Sequence, residues 1–176
     1  MEGEELLDLP KRRLLYDIVR RHPGIGARRA QRIASFGWGE TVYHLARLTR
    51  AGLLHREREG YRDHYFLANV PFVDRDLLRL ALSRSARYIL VALLEQPHST
   101  VPDLARRTAL SEGRLSIPLR RMLASDIVRA ARRGRFRTFE LVDPRTVVRV
   151  LATYPESMPD PWVDRTVDVW SELFRS

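Results

Sequence analysis

An internal repeat constrains the fold of this chain more than any other feature of its sequence. The 74 residues that separate Pro23 from Pro97 also separate Gly60 from Gly134. Apolar residues recur at the same offset, in pairs such as Leu45 with Leu119, Leu48 with Met122 and Tyr65 with Phe139. Because proline, glycine and apolar positions agree at one offset without gaps, the sequence predicts two copies of one structural unit.

Each copy is predicted to form three helices followed by a β-hairpin. In the first copy, apolar residues at helical spacing start after Pro10, two more helices follow over about 27–36 and 39–50, and strand-like runs flank Gly60. The third helix is expected to turn three side chains inward: Val42, Leu45 and Leu48. This order predicts a mainly α fold with small β-hairpin wings, built as two tandem winged helix-turn-helix domains plus C-terminal helices.

The repeat also predicts how the chain is divided. We expect a first winged-helix domain over 1–70, a linker helix over 71–85, a second winged-helix domain over 86–142 and C-terminal helices over 143–176. In the second copy, the second and third helices are expected to be capped by Thr100 and Ser111. The next helix is expected to start at Asp143-Pro144, and the last at Asp160-Pro161.

The charge balance predicts a polyanionic partner. The chain of 176 residues has 31 Lys and Arg residues against 22 Asp and Glu residues, which gives a formal net charge of +9. Lys11 is the one lysine, so nearly all of this charge is arginine, whose guanidinium binds phosphates and guanine edges in a bidentate way. Together with the winged-helix fold predicted above, this charge makes double-stranded DNA the expected partner.

Several functional classes are excluded or disfavoured by composition. The chain has no cysteine, which excludes disulfides, thiolate nucleophiles and cysteine-ligated zinc. The histidines show no metal-ligand spacing, and there is no glycine-rich phosphate loop, so no enzyme, metal site, cofactor or small-molecule ligand is expected. No apolar run is long enough for a membrane span and the first residues are acidic, so a cytoplasmic, nucleoid-associated protein is expected.

Four short motifs carry a resemblance to a known family. These are HPGI after the first helix, YHL in the third helix, AGL before the first wing and LVDP after the second wing. Together they resemble the archaeal tandem winged helix-turn-helix transcriptional regulators, whose domains are ArsR/MarR-like. The resemblance covers roughly residues 11–151 and implies a DNA-binding transcriptional regulator.

The chain departs from the family pattern at two positions. Pro118 stands where the family has a histidine in the second recognition helix, and this helix is expected to be kinked or shortened because proline lacks an amide donor. Gly113 weakens the same helix. Thr41 stands where a buried valine is typical, so the first recognition helix is expected to be slightly rotated.

The candidate DNA contacts follow from the docking mode of winged helices, with the third helix in the major groove and the wings near the backbone. In the first domain they are Arg28, Arg29, Arg32, Tyr43, His44, Arg47, Arg58 and Arg62. In the second domain they are Arg114, Arg120, Arg121, Arg132, Arg133, Arg135 and Arg137. The alternatives are that Tyr43 or His44 packs against the wing, and that the arginines of the second helix form only a solvated face.

The last helix is amphipathic and is a candidate dimerisation element. Its predicted dimerisation residues are Trp162, Val163, Val167, Trp170 and Phe174. The alternative is that this face packs within its own domain, since either arrangement buries the same apolar surface.

Three functions remain open on the sequence alone. The first is a sequence-specific transcriptional regulator that binds duplex DNA as a homodimer. The second is an architectural, nucleoid-associated protein that binds DNA with little sequence specificity. The third is a winged-helix scaffold for protein interactions.

Overall fold

The computed structural model describes residues 6–154 and 161–174, and it divides the chain into two compact units, Met1–Arg75 and Asp76–Ser176. The expected helix start at Asp160 lies outside the described residues. The helices and strands follow the predicted order along the chain. The predicted fold class, mainly helical with small antiparallel hairpins, is confirmed.

The first unit contains three helices and a three-stranded sheet. In chain order the elements are α1 (Pro10–Arg21), β1 (Ile25–Gly26), α2 (Ala27–Ala34), α3 (Trp38–Arg50), β2 (Leu54–Glu59), β3 (Arg62–Leu67) and α4 (Phe72–Ala81), which continues into the second unit. The short strand β1 pairs with β3, so the antiparallel sheet has the order β1-β3-β2. The core of the unit is apolar and includes Leu15, Ile18, Val19, Ile25, Leu45, Leu48, Leu54 and Tyr65.

The second unit repeats this order and adds two helices. Its elements are α5 (Arg84–Glu95), α6 (Val101–Thr108), α7 (Glu112–Ala124), β4 (Val128–Arg133), β5 (Phe136–Leu141), α8 (Pro144–Thr153) and α9 (Pro161–Leu173). The elements α5, α6, α7, β4 and β5 begin and end 74 residues after α1, α2, α3, β2 and β3. Even β1 has a counterpart, because the bridge between Ser99 and Phe139 repeats the pairing of Ile25 with Tyr65. The repeat in sequence is therefore a repeat in structure.

The backbone torsions repeat as well, including the unusual ones. Positive φ angles occur in pairs at the same offset: Gly24 with His98, Ser35 with Ala109, Gly52 with Asp126 and Gly60 with Gly134. Gly60 and Gly134 each occupy the first position of a two-residue loop at the tip of a hairpin, where the left-handed conformation favours glycine. At two other positions the second copy keeps the torsion without the glycine, which indicates that the tertiary fold imposes it.

Two predicted helix starts are confirmed by their hydrogen bonds. Thr100 and Asp103 form a reciprocal capping box at the start of α6, in which each side chain accepts from the other residue's backbone amide. The Asp143 side chain accepts from the amide of Thr146 at the start of α8. Ser111 precedes α7 as predicted, but its side chain forms no capping hydrogen bond.

Two expectations about the third helices can be compared with the structure. Of the two outcomes expected for α7 at Pro118, a kink or a shorter helix, the shorter helix does not occur: α7 has 13 residues, as many as α3, and the kink stays a prediction. Val42, which was expected to face inward in α3, is 38% exposed, while Thr41 is fully buried. Thr41 can replace an apolar residue because its hydroxyl donates to the carbonyl oxygen of Gly37 at 2.9 Å.

The helices α8 and α9 complete the core of the second unit. Val147, Val148, Val150 and Leu151 of α8 are buried, and so are Val163 and Val167 of α9. No helix within the described ranges is long and apolar enough to cross a membrane.

Candidate nucleic-acid interface

The helix α2 presents a cationic face to solvent. Arg28, Arg29 and Arg32 are all exposed. The guanidinium carbon of Arg28 lies 4.1 Å from the centre of the Trp38 ring, at the first residue of α3. This cation–π contact joins the start of α2 to the start of α3 and fixes a positive charge beside the recognition helix.

The helix α3 is the predicted recognition helix, and two of its three candidate residues lie on its solvent face. Tyr43 is 55% exposed, and Arg47 is exposed one helical turn later. Both side chains can reach an external ligand. Their contact with DNA stays a prediction, as it does for the arginines of α2.

The exposure expected for His44 is wrong. His44 is only 8% exposed, and its ring packs edge to face against Tyr43 with the ring centres 5.2 Å apart. Burial is the main cause that lowers the pKa of His44, and the nearby charge of Arg12 lowers it further. A neutral, buried imidazole supports the position of Tyr43 and has little surface for a base.

His44 is buried because it lies on the face of α3 that packs into the unit. The buried side of the helix is formed by Thr41, His44, Leu45 and Leu48, at the spacing of one continuous helical face. Glu40 lies beside this face and accepts a hydrogen bond from Lys11 of α1, which lowers the pKa of its carboxyl group. The acid of α3 is thus neutralised within its own unit.

The first wing is internally ion-paired. Arg58 donates to Asp63 directly across the hairpin at 2.9 Å, and Glu57 pairs with Arg75 at 3.2 Å. The strands β2 and β3 contain three arginines and three acidic residues, so their formal charges cancel. Of the two predicted contacts here, Arg58 is therefore engaged with a carboxylate, while Arg62 is exposed near the tip.

The second wing has the same strand register as the first, but it carries a large positive charge where the first wing is neutral. Its strands and loop contain five arginines and one acidic residue, Glu140, whose carboxylate accepts from Arg129 at 2.6 Å. The other four arginines are exposed, and none forms an ion pair with a carboxylate of the described residues: Arg132, Arg133, Arg135 and Arg137. This surface, defined by these four residues, is hereafter called the arginine wing.

Within the arginine wing, two like charges face each other directly. Arg132 is the cross-strand partner of Arg137, at the positions that Arg58 and Asp63 occupy in the first wing. Like charges at directly opposed positions destabilise a hairpin. The guanidinium of Arg137 also lies over the Phe139 ring at 5.3 Å, which holds its stem against the sheet.

The second recognition helix differs from the first at equivalent positions. Ile117 stands where α3 has Tyr43 and has the same exposed fraction, 55%, while Pro118 stands where α3 has His44. The three predicted arginines of α7 are exposed: Arg114, Arg120 and Arg121. The most exposed apolar side chain of α7 therefore cannot form hydrogen bonds to base edges, whereas the flanking cations can contact phosphates.

The predicted dimerisation face of α9 is turned toward its own unit. Val163 and Val167 are 3% and 6% exposed, and the indole nitrogen of Trp162 donates to Glu95 of α5 at 2.8 Å. Trp170 and Phe174 are half-buried and stack with ring centres 5.4 Å apart. The valines are thus not available to a second subunit, which is the internal packing that the sequence left open as the alternative.

One exposed residue at the first wing was not among the sequence candidates. Tyr61 occupies the second loop position of the hairpin, and its side chain is fully exposed. Its position after Gly60 in a two-residue turn was the available signal, since the side chain at a hairpin tip has no neighbouring strand to pack against.

Comparison with known proteins places the first unit among helix-turn-helix domains. Residues 10–78 match the family model HTH_HVO_0163_N, described as an N-terminal HTH domain. A comparison with curated protein sequences gives no match. A solved structure of disulfide-formed AbfR aligns over 84% of this chain and 91% of its own, with 20% identity and a TM-score of 0.40, a likeness too low to support a functional argument.

Proposed function

We propose that this protein is a double-stranded DNA-binding transcriptional regulator that acts as a homodimer in the cytoplasm. In this proposal α3 enters the major groove, the wings lie along the sugar-phosphate backbone, and no catalysis or cofactor is involved. The helix-turn-helix match over residues 10–78 supports the docking mode. The exposed cations of α2, α7 and the arginine wing support the identity of the ligand.

The observation that carries the proposal is the arginine wing. Four exposed arginines without acidic partners repel one another, and Arg132 and Arg137 occupy directly opposed positions of the hairpin. A row of phosphates supplies the negative charge that this surface lacks, and arginine binds phosphate through two parallel hydrogen bonds. The wing of the first unit is neutralised by its own acidic residues, so it does not need an external anion in this way.

The two units are proposed to contribute differently to binding. Tyr43 and Arg47 of α3 can donate to base edges, whereas Ile117 and Pro118 leave α7 poor in such donors. The first unit would therefore determine sequence preference, and the second would supply affinity through phosphate contacts, which carry little sequence information.

An architectural, nucleoid-associated role is the second candidate. It is favoured because α7 has few side chains that can form hydrogen bonds to base edges, and because the net charge of the chain is +9. The two roles differ in the ratio of specific to non-specific affinity. A regulator binds its site about 10³-fold or more tighter than random duplex, and an architectural protein binds both nearly equally.

The proposal is tested by titrating a labelled duplex with the full chain at several salt concentrations. For the double variant Arg133→Ser with Arg135→Ser, the slope of log K against log salt should become shallower by about 0.9 for each phosphate contact that is lost. The control is Arg13→Ser with Arg20→Ser, which removes the same formal charge from exposed positions of α1, away from α2, α3 and the wings; Arg20 pairs there with Asp17.

The control should alter affinity much less than the wing variant, although net charge falls equally in both. Equal losses would mean that binding follows total charge alone and that the arginine wing is not a contact surface. Absence of duplex binding by the wild-type chain at low salt would refute DNA binding itself and favour the protein-interaction scaffold.

A further inference from the structure

Both hairpin tips carry an aromatic ring next to an arginine. In the first wing Tyr61 occupies the second loop position and Arg62 follows it, whereas in the second wing Arg135 occupies that position and Phe136 follows it. The offset of 74 residues thus aligns tyrosine with arginine and arginine with phenylalanine. The order of the pair is reversed, but each tip presents the same two kinds of side chain.

Both rings lie outside the cores of the described residues. The Tyr61 side chain is fully exposed, and Phe136 is 53% exposed. The guanidinium carbon of Arg135 lies 5.0 Å from the centre of the Phe136 ring, so this ring and this cation form one exposed surface. A single exposed apolar side chain is common on a protein surface, and the recurrence of a ring at both tips is the informative observation. The two rings are therefore candidates for contact with a ligand.

We propose that Tyr61 and Phe136 are wedges that enter the minor groove of duplex DNA and bend the duplex by partly unstacking a base step. This inference rests on the proposed function and specifies what the wing tips contact. When a recognition helix lies in the major groove, the strands of its wing run along the backbone and the tip reaches the neighbouring minor groove. Proteins that bend DNA from the minor groove insert apolar side chains between base steps.

The chemistry of the tips fits a groove lined by bases better than a row of phosphates. An aromatic ring has no charge to offer a phosphate, but its face can stack on any base. The adjacent cations are exposed and supply attraction to the negative potential of the groove: Arg62 in the first wing and Arg135 in the second. In the second wing Arg133 is also the cross-strand partner of Phe136. Because the charges of the first wing cancel, stacking gives its tip a contact that does not depend on net charge.

Wedges of this kind select DNA by its deformability. Pyrimidine–purine steps such as TA unstack easily, whereas runs of adenine are stiff and have a narrow minor groove. A ring that must open a base step therefore favours duplexes rich in TA steps. Arginine that enters the groove without a wedge favours the narrow groove of an adenine run instead. The two binding modes thus predict opposite preferences between duplexes of the same base composition.

The test compares two duplexes of equal length and composition at low salt, one with alternating thymine and adenine and one with all adenines on one strand. In the alternating duplex 2-aminopurine replaces one adenine, and its emission rises when that base unstacks. The wild-type full chain should bind the alternating duplex more tightly and raise the emission. Tyr61→Ser with Phe136→Ser should weaken binding to this duplex by about fivefold or more and abolish the rise, while affinity for the adenine run changes little.

Three control variants define the role of the rings. Phe72→Ser removes a ring that is 73% exposed at the start of α4, outside both wings, and should leave affinity and emission unchanged. Tyr61→Phe with Phe136→Tyr keeps both rings and should behave as the wild-type chain. Tyr61→Ser alone changes only a fully exposed loop position and should reduce the emission rise without altering stability in urea.

The outcomes separate this inference from DNA binding itself. Duplex binding without a rise in emission, tighter binding to the adenine run, or serine variants that behave as the wild-type chain would each overturn the inference and leave DNA binding intact. A preference for single strands that requires the rings would also overturn it, because the rings would then stack on unpaired bases. If neither duplex binds at all, the proposed function is wrong and the inference falls with it.

Discussion

Arg137→Asp should give the second wing the cross-strand ion pair that the first wing has. It should change DNA affinity much more than the stability of the fold. In the first wing Arg58 bonds to Asp63 across the hairpin at 2.9 Å, and in the second wing Arg132 faces Arg137 at the same positions. The substitution therefore replaces a repulsive pair by an attractive one whose geometry already exists elsewhere in this chain. We expect the folded state to tolerate it and DNA affinity to fall.

The expected change in stability is small because two effects oppose each other. Replacing like charges by an exposed ion pair contributes roughly 0.2–1 kcal/mol. Loss of the contact between Arg137 and the Phe139 ring, 5.3 Å apart, costs about 0.5–1 kcal/mol. The free energy of unfolding should therefore change by less than about 0.8 kcal/mol in either direction, as the difference of these two contributions.

The expected change in DNA binding is larger. If Arg137 contacts one phosphate, its loss makes the slope of log K against log salt about 0.9 shallower. The loss of affinity between 50 and 200 mM salt should then be about 3.5-fold smaller than in the wild-type chain. If the new carboxylate also binds Arg132, two phosphate contacts are lost and this loss of affinity should be about 12-fold smaller.

Fluorescence anisotropy of a labelled duplex at several salt concentrations measures the slope, and urea unfolding measures the stability. The reciprocal variant, Asp63→Arg, is the matched control: it should steepen the salt dependence and lower stability, since Arg58 loses its partner. An unchanged slope for Arg137→Asp, in a protein that folds normally, would refute the assignment of phosphate contacts to the arginine wing.

Three further substitutions test the local structure, each by urea unfolding. Pro118→Ala restores the amide donor missing from α7 and should stabilise the protein by up to about 3 kcal/mol; a loss of stability would contradict the cost assigned to this proline. Thr100→Ala removes one side of the capping box and should cost about 1 kcal/mol, and no change would mean that the box contributes little. His44→Gln should flatten the decline of stability as the pH falls below about 6.5: the folded-state pKa of His44 is lowered, so the unfolded state takes up the proton first and wild-type stability is lost through that range. Equal pH dependence in both proteins would contradict the burial of a neutral imidazole.

The repeat could be predicted from the sequence because its main determinants are local. Proline and glycine have strong backbone preferences, and apolar residues at helical spacing mark buried faces, so Pro23 with Pro97 and Gly60 with Gly134 were sufficient to fix the offset. The capping box at Thr100 was visible for the same reason, since residues three apart determine it.

Which face of α3 is buried could not be predicted in the same way. Val42 and Thr41 are adjacent, and apolarity alone favoured Val42 for the core. Thr41 is buried instead because its hydroxyl finds an acceptor one turn earlier, in the carbonyl of Gly37. This bond depends on where the helix begins, and His44 lies three residues further along the same buried face.

The charge pairing within the wings could also be predicted only in part from the sequence. The excess of arginine in the second wing was visible, but the direct opposition of Arg132 and Arg137 depends on strand register. The neutralisation of Arg58 depends on the same register in the first wing. Likewise, the packing of α9 on α5 through Glu95 depends on tertiary contacts between distant segments.

Selection of bound sequences from a random duplex pool tests the central claim most directly. A regulator that reads bases through α3 should enrich one short, roughly palindromic motif, and Arg47→Ala should reduce that enrichment while retaining salt-dependent binding. Recovery of unenriched sequences at undiminished affinity would show that the protein binds the DNA backbone alone, and the claim of sequence-specific regulation would be wrong.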